Sequence, residues 1–134
     1  MVWSKAVREF LDEDRFGVLA TLNADGSIQQ TVMWYRREAD TIVMNTRNRR
    51  TKERNLTRNP QASFCVEDGQ RYVAVRGQIE IDYDPENGQS GMRKITTRYV
   101  GEQEAERQMR EEYATQHRIN LTLVAVHIDA HGFD

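Results

Sequence analysis

Apolar positions at the start of the chain are spaced for a helix. Val7, Phe10 and Leu11 fall at i, i+3 and i+4 behind Ser4, a residue suited to cap a first turn, so one short amphipathic helix is expected to end near Asp14. The period then drops to two. Residues 16–22 alternate with Phe16, Val18, Ala20 and Leu22 on one face, and the turn-forming residues 23–27 lead into a second run, which predicts a β-hairpin. That second strand, residues 28–37, carries Gln29, Gln30 and Thr31 on both faces before Met33, Trp34 and Tyr35 begin. A strand with polar groups on both sides suits the lining of a site. A third strand, residues 41–46, is rich in β-branched residues, and a short helix over residues 51–57 is stopped by Asn59-Pro60.

Residues 61–67 and 72–82 form a further hairpin about Asp68-Gly69, with Val73, Val75, Gly77, Ile79 and Ile81 on one face of the fifth strand. Asp84-Pro85 starts a helix that places Met92, Ile95 and Tyr99 on one side. A second helix after Gly101 carries Ala105, Met109 and Tyr113, and a last strand covers residues 120–128. The order α, βββ, α, ββ, αα, β predicts a mainly β domain spanning residues 1–134, with six antiparallel strands closed into a barrel and flanked by helices.

Hydrophobic residues make up 38% of the 134 and charged residues 30%, modest apolar material for one chain, so a dimer is expected. No apolar run approaches the roughly 18 to 20 residues of a membrane span, and the N-terminus lacks a secretory apolar region, which points to the cytoplasm. Cys65 is the single cysteine and is expected as a reduced, buried thiol. His117, His127 and His131 show no metal spacing.

A net charge of −2 argues against a nucleic-acid partner, but its distribution is uneven. Between positions 47 and 58 six cations (Arg47, Arg49, Arg50, Lys52, Arg54, Arg58) face the single acid Glu53, a local excess of five that leaves −7 for the rest. A strand end, several cations and a helix start converge there, which suits either a phosphate cradle or a solvated basic face.

The hairpin beginning Phe-Gly-Val-Leu-Ala-Thr-Leu, the Asp-Gly turn, the two-faced polar strand and then Arg-x-Lys-x-x-Asn-Leu-x-x-Asn-Pro over residues 50–60 together resemble the pyridoxamine 5′-phosphate oxidase-like superfamily. Within it the chain is most similar to the branch that uses the deazaflavin coenzyme F420. The resemblance covers roughly residues 10–128. It implies an FMN-binding split-barrel fold and a homodimer with cofactors at the interface.

By the same resemblance Arg50 and Lys52 fall on the phosphate-binding basic positions and Thr46 on the small polar residue closing the third strand. Gln30, Thr31 and Val32 match the strand that runs along the cofactor ring. Arg49 stands where some relatives carry proline, which leaves open which of Arg47, Arg49 and Arg50 touches phosphate. The C-terminal Arg-Leu-x-Pro pattern of the true oxidases is missing, so oxidation of pyridoxamine phosphate is not expected.

No catalytic side chain is implied, because such a cofactor carries the redox chemistry itself. The resemblance implies an F420-dependent reductase acting on an unsaturated small molecule, with FMN as the alternative cofactor and a non-catalytic carrier as the third reading. Arg47, Arg49 and Arg54 are the surplus cations that the polyglutamyl tail of F420 could use. Trp34 or Tyr35 could wall a substrate pocket, and Tyr72 and Arg76 are expected at an interface.

Overall fold

Ser4 caps α1 (Lys5–Asp12) by accepting the Val7 N–H at 3.2 Å, and the helix buries Val7, Phe10 and Leu11 as their spacing predicts. In the computed structural model, which describes residues 1–133, the strands are β1 (Gly17–Leu22), β2 (Ile28–Met33), β3 (Arg36–Glu38), β4 (Thr41–Arg47), β5 (Gln61–Glu67), β6 (Tyr72–Asp82) and β7 (Arg118–His131). Helix α2 (Thr51–Arg58) lies between β4 and β5. Helices α3 (Pro85–Val100) and α4 (Glu102–Gln108), with a π-turn over Met109–Tyr113, fill the crossover from β6 to β7. No described helix is long and apolar enough to cross a membrane.

All seven strands join one antiparallel sheet in the order β2-β1-β5-β6-β7-β4-β3. Its two edges, β2 and β3, are separated in the chain only by Trp34 and Tyr35. Three Cα steps reach at most about 11 Å, so the sheet must coil until its edges approach at that corner. The edges do not pair, so the sheet is not closed as strand order alone suggested, and the fold is the split barrel that the resemblance implies.

The strand count also differs from six, because the run over residues 28–37 is divided. Tyr35 is fully buried and its hydroxyl donates to the Leu11 carbonyl at 2.7 Å, while Trp34 stacks on Tyr99 at 4.8 Å. Both residues thus leave the ladder to pack at the corner. The Arg98 guanidinium donates to the carbonyls of Leu11 and Glu13 and lies over the Tyr35 ring, fixing α3 to the end of α1.

The interior holds Leu19, Phe64, Val66, Val73, Val75, Ile79, Leu121 and Leu123, with Phe10 and Leu11 of α1 packed against them. In β1 the inward phase is Gly17, Leu19 and Thr21; the set of Val18, Ala20 and Leu22 lies on the outer face. Cys65 is another correction. It is exposed on the outer face of β5 because its neighbours Phe64 and Val66 take the core positions.

The fifth sequence run matches β6 end to end, whereas β7 starts and ends beyond the residues expected. The β6–β7 ladder shifts register at Arg76/Gly77, leaving Val126 as the extra residue of a bulge. Helix α3 sits unusually close to the start of β7. A Cβ on Gly88 would overlap the Arg118 carbonyl, and one on Gly91 would overlap the Asn120 side chain, so two glycines permit this approach.

Candidate functional site

The turn from β4 into α2 is shaped by its own polar groups. Asn48 donates its N–H to the His117 carbonyl at 2.8 Å, and Arg49 adopts a left-handed conformation (φ 71°) with its N–H shared by Asn48 Oδ1 and Glu53 Oε1. Arg50 is the N-cap residue of α2 and supplies no side-chain cap. The first N–H groups of α2 therefore face outward without an internal acceptor, and the positive end of the helix is open to an anion.

The one acid of this segment forms no ion pair with its cations among the described residues. Glu53 is nearly buried and accepts hydrogen bonds from Thr57 Oγ1 at 2.6 Å and Tyr83 OH at 3.0 Å, which hold its carboxyl below the usual carboxylate range against the cost of burial. Helix α2 itself is tied to the barrel through Asn55, whose amide donates to Thr21 Oγ1 at 3.1 Å and Asn23 Oδ1 at 2.9 Å.

Four cations converge at this corner. Lys52 is half-buried, and burial together with Arg50 and Arg118 pushes its ammonium pKa down. Arg118 is likewise lowered, chiefly by burial, with Arg50 and Arg47 adding repulsion. Arg47 and Arg118 are direct cross-strand partners in the β4–β7 ladder. None of Arg47, Arg50, Lys52 and Arg118 forms an ion pair among the described residues, although most other arginines of the chain do. Like charges gathered without ion-pair partners are unfavourable until an anion joins them.

Of the residues singled out by sequence, Arg47, Arg50 and Lys52 share this corner. Arg49 is exposed and engages Glu53 through its backbone, and Thr46 is buried on the opposite face of β4 from Arg47. Arg118 lies just outside the last strand expected from the sequence, which begins at Asn120. Only the β4–β7 register reveals that it stands opposite Arg47.

Gln30, Thr31 and Val32 lie elsewhere, on the edge strand β2. Gln30 and Val32 point to the outer face opposite Ala20 and Val18, while Thr31 is half-buried. That outer face carries a groove of about 340 Å³ lined by Ala20, Ile28, Ala62, Arg76, Gly77 and Val126 among others, a volume in the range of small-molecule sites. Neither Trp34 nor Tyr35 lines it. No hydrogen bond links the β2 residues to the basic corner among the described residues, and no group of three potential metal ligands occurs there either. The donor set of the corner, all cations and free N–H groups, fits a phosphate ester.

The family model for pyridoxamine 5′-phosphate oxidase matches residues 3–129. Among solved structures, the conserved hypothetical protein Rv2991 from Mycobacterium tuberculosis is 29% identical, with 99% of this chain and 87% of that one covered and a TM-score of 0.84. An F420 reductase is 25% identical over 91% of this chain and 94% of its own, with a TM-score of 0.73. An FMN-binding protein from Nostoc punctiforme shares the fold at 15% identity, over 96% of this chain and 82% of its own, with a TM-score of 0.69. No curated protein matches. A family model that spans nearly the whole chain and a split barrel shared with these structures lead to one conclusion: the chain belongs to the pyridoxamine 5′-phosphate oxidase family.

Proposed function

We propose that this chain is a cytoplasmic, homodimeric F420-dependent reductase that transfers hydride between the reduced deazaflavin and an unsaturated small-molecule acceptor. The observation that carries the reading is the corner at the start of α2, where four cations without an ion-pair partner among the described residues lie beside open N–H groups. Arg50 and Lys52 hold the phosphate. The remaining cations exceed what the single phosphate of FMN needs, which favours a cofactor with further carboxylates. The likeness to an F420 reductase agrees with that choice.

Gln30, Thr31 and Val32 run along the ring system. Because β2 is an edge, alternate backbone N–H and C=O groups there have no ladder partner and can meet the amide-type edge of a flat heterocycle. When bound, the cofactor supplies the hydride chemistry, and the chain supplies grip, orientation and exclusion of water. A second copy of the chain covers the outer face, where Ile28 and Val32 are each 66% exposed and Val126 is 70% exposed. The alternative cofactor, FMN, is favoured by the family as a whole.

Arg50→Ala and Lys52→Ala test the grip. Charge-assisted hydrogen bonds contribute roughly 1.5 to 3 kcal/mol, so each variant is expected to lose about tenfold to over a hundredfold in cofactor affinity with its fold intact. Unchanged affinity in both would make the segment a solvated basic face.

A further inference from the structure

Arg118 is held with unusual thoroughness for a cation that has no ion-pair partner among the described residues. Its Nε donates to Asn45 Oδ1 at 2.9 Å, one terminal nitrogen donates to Gln116 Oε1 at 2.8 Å, and the other reaches Met92 Sδ at 3.2 Å. The guanidinium also lies 5.0 Å over the ring of Tyr113, at the end of the π-turn. Those partners come from β4, the loop before β7, α3 and the π-turn, and they are themselves fixed. Asn45 donates to the Gly88 carbonyl at 2.8 Å, and Gln89 donates to the carbonyls of both Tyr113 and Gln116 at 2.8 Å.

Every hydrogen-bond partner is neutral, and Glu112, whose charge offsets part of the repulsion, forms no ion pair with the guanidinium among the described residues. A guanidinium carries five N–H donors. Three are engaged, and one on each terminal nitrogen is left. A purely structural arginine in a half-buried place is ordinarily matched by a carboxylate, since leaving a charge there unpaired is costly. Here no carboxylate pairs with it among the described residues, and the repulsion of Arg50 and Arg47 is offset only in part by Glu112.

We infer that Arg118 is the fixed anchor of the anion site, a pre-oriented guanidinium whose two free N–H groups take the charged oxygens of the bound cofactor. The inference rests on the proposed cofactor-binding reading and adds to it a residue from β7. Arg50, Lys52 and Arg47 close round the anion from α2 and β4, while Arg118 sets where it sits. Its rigidity limits the side-chain ordering that binding must impose, the usual cost of recruiting a long cation. The adjacent His117 is held in place as well, its Nε2 within 2.9 Å of the Tyr83 carbonyl and its Nδ1 within 3.2 Å of the Asn48 amide.

The test uses full-length protein with Arg118→Gln and Arg118→Lys, titrated with F420, FMN, riboflavin and inorganic phosphate at several salt concentrations. Arg118→Gln is expected to lose about ten- to a hundredfold in affinity for F420 and to show a shallower dependence of log Kd on log salt. A matching loss for FMN assigns Arg118 to the phosphate, and a loss confined to F420 assigns it to the tail carboxylates. Arg118→Lys keeps the charge but not the fork, and is expected to fold normally and still bind F420 several-fold more weakly. Wild-type affinity and salt slope in Arg118→Lys, and in Arg118→Gln if it folds, would overturn the inference.

The outcomes separate the two readings. Protection by inorganic phosphate that depends on Arg118, without binding of either cofactor, would keep the anion anchor and remove the cofactor assignment. Tight F420 binding indifferent to Arg118 would do the reverse.

Discussion

Replacing Asn55 by alanine should loosen the element that presents Arg50 and Lys52. Asn55 and Thr21 are each 3% exposed, and the Asn55 amide donates to Thr21 Oγ1 and Asn23 Oδ1 while its Oδ1 accepts from the Arg58 guanidinium at 2.8 Å. Two neutral hydrogen bonds and one charged one are lost together. At roughly 0.5 to 1.5 kcal/mol for each neutral bond, with little counted for the exposed Arg58, the loss is about 1 to 3 kcal/mol. Urea unfolding followed by circular dichroism measures it as a fall in the midpoint at constant m-value. Cofactor affinity should fall in the same variant, because this side chain is one of the ties that hold α2 to β1. A stability loss below about 0.5 kcal/mol would refute the tie. A loss of affinity at full stability would show instead that Asn55 touches the ligand.

Gly88→Ala gains helix propensity in α3 but drives a Cβ into the Arg118 carbonyl; net destabilisation of about 1 to 3 kcal/mol is expected in denaturant titrations, with weaker cofactor binding because Arg118 is displaced. A stabilised variant would mean that α3 stands off β7. Burial pushes the Tyr35 phenol up to about 12, against about 10 for an unfolded tyrosine. Below pH 10 both states keep the proton and the contribution is complete; from pH 10 to about 12 only the unfolded chain ionises, so stability falls by about 1.4 kcal/mol per pH unit. The wild type should lose stability faster than Tyr35→Phe across that window, and parallel curves would contradict the burial of the hydroxyl.

Much of this architecture was legible in residue order. The alternation of Val73, Val75, Gly77, Ile79 and Ile81 defined β6 to its last residue, since one face is core and the other is not. The basic segment was visible because six cations with one acid need no tertiary information to be noticed. What escaped depended on contacts between distant segments. Trp34 and Tyr35 look like strand residues, and only their packing against Tyr99 and Leu11 turns the chain there. Cys65 sits in an apolar run, but the phase set by Phe64 and Val66 turns it outward.

The site was read in the same divided way. Asn55 belongs to the motif that carried the resemblance, and the structure shows it as a strut of α2. Thr46, matched to a cofactor-facing position, lies buried on the face of β4 away from Arg47. Arg118 has no local pattern at all. Seventy-one positions separate it from Arg47, and the ladder between β4 and β7 brings them together.

Parallel titrations of the purified protein with F420, FMN and riboflavin, each repeated at rising ionic strength, test the cofactor assignment most directly. F420 is predicted to bind most tightly and to weaken most steeply with salt, because its tail adds exposed ion pairs that are screened over about 10 Å at 0.1 M. FMN should follow with a shallower slope, and riboflavin, which lacks the phosphate, should bind weakest. Riboflavin binding as well as FMN would contradict the phosphate grip at α2, and FMN binding more tightly than F420 at moderate salt would contradict the deazaflavin assignment.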